Sequence, residues 1–140
     1  MRIRKLIAAT AVAGGALSAG FATAAPASAA PAAINYDCTV GEVCLYYNSA
    51  AYGYGAVYVQ YQPIPDYAGR YFSAGNNGSA GSGVVVKNHA AAVDSWIGST
   101  FRVYYNSNYG CSVTCQDIPA YYTRDLNAAM KNNNASGKDI

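Results

Sequence analysis

The stretch YYNSNYGCSVTC, residues 104–115, sets three tyrosines, two asparagines and a close cysteine pair within twelve positions, and its first part has a near copy upstream. VYYNSNYG (103–110) matches LYYNSAAYG (45–53), with one extra residue in the first copy. A second pair of segments, VKNHAAAV (86–93) and MKNNNASG (130–137), follows in the same order, so the chain reads A, B, A, B. In each A segment two aromatics bracket a sharp fold, Asn and Ser side chains satisfy turn backbone groups, and a glycine supplies an angle other residues resist. Two such hairpins, each followed by an asparagine-containing turn, imply two Greek-key units around a pseudo-twofold axis in one β-sandwich. Two copies at an irregular period are too few for a solenoid or propeller. Most of the fourteen tyrosines are expected to serve this scaffold, with the ring in the core and the hydroxyl at the surface.

The rest of the chain agrees with an all-β reading. Helical periodicity is nearly absent, and short β-branched or aromatic runs lie between glycine, asparagine and proline clusters. The expected strands are VCLYY (43–47), AVYVQY (56–61), GVVVK (83–87), VDSWI (93–97), TFRVYY (100–105) and residues 113–118. Phe101, Val103 and Tyr105 alternate with Thr100, Arg102 and Tyr104, as a half-buried strand requires. Residues 62–83, rich in glycine with two prolines, read as a long mobile surface connection. TRDLNAAMK (123–131) reads as a short helix capped by Thr123.

The first residues are expected to leave before the protein works. MRIRK is a basic head, an apolar small-residue run follows, and Ala27-Ser28-Ala29 makes a cleavage pattern, which together describe a secretory signal peptide over 1–29. Removing Arg2, Arg4 and Lys5 from nine basic residues leaves six against seven acidic ones, a net charge near −1. A chain without a basic stripe is poorly suited to nucleic acid, and once the signal is gone no membrane partner is expected. About 111 residues remain, enough for one domain (30–140), expected to be a monomer. All four cysteines lie in that part, and export to an oxidising compartment makes two disulfides the expectation. Of the three pairings, spacing favours Cys38 with Cys44 and Cys111 with Cys115, each closing a small ring; long crosslinks are the alternative. A bond between Cys111 and Cys115 needs α-carbons within about 7 Å, whereas four extended residues cover roughly 13 Å, so the chain would have to double back there.

An aromatic, four residues, a second aromatic, one residue and a glycine is the signature of βγ-crystallins, and YYNSNYGC (104–111) resembles it with Cys111 at the glycine position. In the first copy Tyr46 reaches Tyr52 and Gly53 only with an insertion. Residues 36–137 are similar to the secreted bacterial peptidase inhibitors typified by the Streptomyces metalloproteinase inhibitor, which share an early cysteine ring and a second small ring after the second hairpin. Here the rings are CTVGEVC (38–44) and CSVTC (111–115). The resemblance implies inhibition of a secreted zinc metalloproteinase of the thermolysin type by a rigid, substrate-like loop whose scissile bond adjoins a disulfide cysteine. A loop already held in the bound shape avoids ordering costs on binding. Carried over, the reactive loop is Cys111, Ser112, Val113, Thr114, Cys115 and Gln116. Its ring is one residue shorter than the family's and begins with polar Ser112, so Ser112–Val113 is the bond offering an apolar residue to the protease; another register places Cys115 and Gln116 there.

Other chemistries find less support. The single histidine, His89, stands where its repeat partner is Asn133, which reads as a turn position, and no GxSxG or HExxH motif is present, so no enzyme is expected. Asp66, Asp94, Asp117 and Asp125 are scattered without a spacing that singles out a catalytic pair. The resemblance also raises calcium, which many βγ-crystallin domains bind through two Asn/Asp residues, two variable ones and Ser/Thr-Ser. Asn132, Asn133 and Ser136 keep part of that pattern while Gly137 replaces its last serine, and the first copy keeps only Asn88, so a weak site at best is expected and no cofactor is required. A calcium-binding or toxin-like module of the same fold is the rival function.

Overall fold

The computed structural model describes residues 31–140; the expected signal peptide and its cleavage point near Ala29 lie outside the described residues. Seven strands, β1 (Val43–Tyr46), β2 (Val57–Gln60), β3 (Ala92–Ser95), β4 (Phe101–Asn106), β5 (Gly110–Ile118), β6 (Thr123–Asp125) and β7 (Ser136–Asp139), form two antiparallel sheets. The first has the order β2-β1-β3-β6, the second β5-β4-β7. Inward residues alternate along the strands, so Val43, Leu45 and Val93 of the first sheet meet Phe101, Val103 and Ile118 of the second in one core. Burying each such side chain contributes about 1.5–3 kcal/mol.

The repeat seen in the sequence is a structural repeat. Tyr46 lies opposite Ala92 in the β1–β3 pair, and Tyr104 lies opposite Ser136 in the β4–β7 pair. The N–H of Ala91 donates to the Tyr46 carbonyl at 2.8 Å, and the N–H of Ala135 donates to the Tyr104 carbonyl at the same distance. Asn88 and Asn132 share a left-handed backbone, with φ 62° and 59°, and the preceding Val86 and Met130 are both fully buried. The halves also exchange chain. β6, from the second half, pairs with β3 through Val93 opposite Arg124, while Ile64, from the first half, bridges Gly137 of β7.

The tyrosine corners correct the alignment of the first copy. Tyr104 packs edge-on against Tyr109 with centroids 5.7 Å apart, but the partner of Tyr46 is Tyr54, at 5.3 Å, and not Tyr52, which is 79% exposed. Tyr54 and Tyr109 both sit at φ 61°, a conformation bulky residues rarely adopt, which marks them as equivalent. The short 3-10 turn Ala50–Tyr52 carries the extra length. Tyrosine is also less internal than expected: Tyr36, Tyr52, Tyr61, Tyr71, Tyr121 and Tyr122 are each at least half exposed.

Three sequence expectations give way to packing. Residues 83–87 form no strand; Val85 makes one isolated bridge to Tyr71, because the turns around Gly83 and Asn88 leave no length to pair. The connection 62–83 is not a loose surface loop, since Ile64, Tyr67 and Phe72 are buried in the core and a bridge joins Val57 to Ser73. Gly81 lies so close to the Tyr47 ring that a Cβ there would fall 2.1 Å from it. Residues 123–131 are not a helix. Thr123–Asp125 is β6, the Thr123 hydroxyl donates to Asp94, and the Asn127 side chain caps a turn by accepting from the Ala129 and Met130 N–H groups. Pairing with β3 outweighs the helical propensity of LNAAMK.

The outer face of the first sheet is covered by residues 31–42. Cys38, Cys44, Tyr46, Tyr54, Val57 and Ala92 form a second, smaller apolar cluster there, with Trp96 against it. The Cys38–Cys44 disulfide, with α-carbons 5.8 Å apart, ties that covering segment to β1.

Candidate functional site: the second cysteine ring

The Cys111–Cys115 disulfide closes the small ring that spacing favoured, and the chain does double back: the α-carbons are 5.3 Å apart. Strand pairing explains how. β4 and β5 run in register from Phe101–Ile118 to Tyr104–Cys115, then resume at Asn106–Gly110, so β4 advances two residues while β5 advances five. Three extra residues of β5 are thrown out as a bulge. Cys111, Ser112 and Val113 are exposed, Val113 to 63%, while Thr114 and Cys115 are half-buried. The Asn106 amide donates to the Ser112 hydroxyl at 2.8 Å, fixing the bulge to the hairpin that displays it.

Gln116 does not belong to this surface. It is buried, its amide donates to the Asp125 carbonyl at 3.1 Å, and its carbonyl accepts from the Asn127 N–H at 2.7 Å. That side chain stitches β5 of the second sheet to the end of β6 in the first, so the register that puts the reactive bond at Cys115–Gln116 loses its support. The Ser112–Val113 bond joins two exposed residues.

The calcium candidates do not converge on a cation. The Ser136 hydroxyl is fully buried, donating to the Asn106 carbonyl at 2.7 Å and accepting from the Tyr109 N–H at 3.1 Å. The Asn133 amide donates to the Ala129 carbonyl. Asn88 and Asn132 line one groove, but Lys131 lines it too, with Tyr47, Asn48 and Ser49. In the other half Lys87 places its ammonium between Asp66, at 3.0 Å, and the Ser107 hydroxyl, at 2.9 Å. Among the described residues no three His, Cys, Asp or Glu side chains stand together as metal ligands. A hard cation prefers oxygen donors, several of them charged; these loops offer neutral amides, a serine and an asparagine already engaged, and a lysine.

The other singled-out groups have separate structural partners. His89 Nδ1 lies 2.8 Å from the Lys87 carbonyl within the turn. Asp125 accepts from the Ala50 N–H, Asp94 from Trp96 and Thr123, and Asp117 makes a two-pronged pair with Arg102 at 2.5 and 2.8 Å. Asp66 is held below its ordinary value of 3.8 by the Ala68 N–H first and by Lys87 next, and Asp117 is held below its own by the Arg102 hydrogen bond. Both depressions favour the folded state above the unfolded carboxylate range, and that contribution is lost as pH falls through the lowered folded values. Urea midpoints measured from about pH 6 to about pH 3 are therefore expected to hold steady and then decline below about pH 4. A midpoint that rises on acidification would contradict this.

Comparison with known proteins agrees on the fold. A solved structure described under the evolution of the eye lens βγ-crystallin domain fold superposes with a TM-score of 0.53 at 8% identity, covering 77% of this chain and 95% of that one. A βγ-crystallin from an archaeon aligns with a TM-score of 0.47 at 17% identity over 73% of this chain and all of the other, too slight a likeness to argue from. No family model and no curated protein matches the chain. The protein has a βγ-crystallin-like Greek-key fold, all-β and two-disulfide, and at such low identity the likeness speaks for the fold alone.

Proposed function

We propose that the protein is exported and inhibits an extracellular zinc metalloproteinase by offering residues 111–115 as a preorganised, substrate-like ring. The observation that carries this reading is the bulge itself: a disulfide-closed excursion from an otherwise paired strand, with Val113 at 63% exposure. An aliphatic side chain held out from a rigid frame meets an apolar protease pocket without first being ordered, and strand pairing on both sides keeps the ends of a cut Ser112–Val113 bond together. The proposed partner is one secreted protease of the thermolysin type, bound by the monomer.

The test is inhibition of a panel of secreted zinc proteases by the purified protein near stoichiometric concentration. Val113→Asp is expected to weaken inhibition by about a hundredfold, since it buries a charge in the protease pocket, while the melting temperature stays nearly unchanged because the side chain is mostly exposed. Absence of inhibition across the panel, or inhibition that Val113→Asp leaves intact, would overturn the reading.

A further inference from the structure

On the sheet that does not carry the ring, Tyr36, Trp96 and Tyr121 stand around a cleft of about 160 Å³ whose remaining lining is Asp94 and Thr123. The Tyr36 and Trp96 rings meet edge to face, 5.2 Å apart at 81°, and so form two walls of a corner. Tyr121 supplies a third wall. It is 62% exposed yet held at φ 53°, a backbone region that bulky residues occupy at a cost, and its hydroxyl reaches over Gly98.

Beneath the rings lies a carboxylate without a countercharge. Asp94 is 1% exposed, and its two oxygens accept hydrogen bonds from neutral donors, Trp96 Nε1 at 2.8 Å and Thr123 Oγ1 at 2.6 Å. The ion pairs among the described residues, Lys87–Asp66 and Arg102–Asp117, lie elsewhere. A buried carboxylate served only by neutral donors remains costly to desolvate, and a positive charge is what the arrangement lacks. Aromatic faces present negative potential to weakly hydrated cations, which suits a group whose methyls can touch the rings while its charge stays near Asp94.

We propose that this cleft binds a methylated ammonium group of about the size of trimethylammonium. A sugar would also stack on a ring, but, being neutral, it would leave the Asp94 charge without the countercharge that the site lacks. Trp96, the single tryptophan, is itself a wall of the site and reports on it directly. Titrating the purified protein with choline is expected to give a saturable change in Trp96 emission, while 3,3-dimethylbutan-1-ol, the uncharged counterpart of the same shape, binds about tenfold more weakly or less. Tyr121→Ala, at an exposed position, is expected to weaken choline binding about fivefold with an unchanged melting temperature, and Asp94→Asn to abolish it. Should Asp94→Asn fail to fold, Tyr121→Ala and the uncharged counterpart decide the matter. An equal response to both ligands, a response to N-acetylglucosamine in place of choline, no saturable change, or unaltered binding by Tyr121→Ala would each overturn the proposal.

Discussion

Gly137→Ala is expected to destabilise the protein by about 3 kcal/mol or more. A Cβ at this position would lie 2.2 Å from the Tyr67 hydroxyl and 2.6 Å from Cζ of Phe101. Neither neighbour can yield cheaply. Tyr67 is fully buried and donates to Gln60 Oε1 at 2.6 Å, and Phe101 sits in the main core at 1% exposure. Gly137 also holds the crossover of the first half, exchanging both backbone hydrogen bonds with Ile64 at 2.9 and 3.1 Å. Gly137→Ser, which would restore the last letter of the calcium pattern, carries the same Cβ and is expected to cost at least as much. The missing serine therefore has a packing cause, independent of any metal. Urea unfolding of the two variants checks this, and a loss under about 1 kcal/mol for Gly137→Ala would refute it.

Asn134→Ala is expected to cost about 3 kcal/mol by a different route. Asn134 is fully buried; its Oδ1 accepts from the Ala90 N–H and its Nδ2 donates to the Val86 carbonyl, both at 2.9 Å. Those partners belong to the other half and are themselves buried, so truncation orphans a donor and an acceptor at about 1–3 kcal/mol each, less whatever relaxation recovers. The repeat counterpart of Asn134 is Ala90, which lacks a side chain able to reciprocate, so the bridge across the pseudo-twofold runs in one direction only. Asn134→Asp keeps the acceptor but loses the donor and adds a buried charge, and is expected to fare no better than alanine. A midpoint within error of the parent for Asn134→Ala would show that water or local shifts satisfy the freed groups.

The architecture was legible because it is written twice. Tyr46 and Tyr104, Val86 and Met130, Asn88 and Asn132 occupy matching places in matching registers, and a repeated hairpin with alternating apolar residues leaves few other folds open. What escaped the sequence depends on distant partners. The segment SGKD of β7 has no strand propensity and is a strand because β4 lies beside it; TRDLN reads as helix until β3 claims Thr123–Asp125. Tyr52 lay one residue beyond the expected spacing and was the nearest match, but the left-handed backbone that seats the corner belongs to Tyr54, and letters do not record φ. At the ring, cysteine spacing was enough to foresee the doubling back, whereas the withdrawal of Gln116 into the interior required knowing where Asp125 and Asn127 would come to rest. The cleft around Asp94 draws on residues spread from 36 to 123, a spacing that no local motif records.

The exchange of chain between the halves leaves each half incomplete when taken alone. Each copy completes the other's sheet, so a lone first half would leave open the edge of β3 that β6 covers, and a lone second half would leave open the edge of β7 that Ile64 bridges. An exposed strand edge recruits whatever can pair with it, and the most available match would be an identical molecule. A single copy with this exchange would thus be expected to pair as a homodimer, and having both copies in one chain makes that concentration-dependent encounter permanent. Within one chain the copies need not match, and one has Asn134 where the other has Ala90, one extends its corner to Tyr54 and the other throws out a cysteine ring.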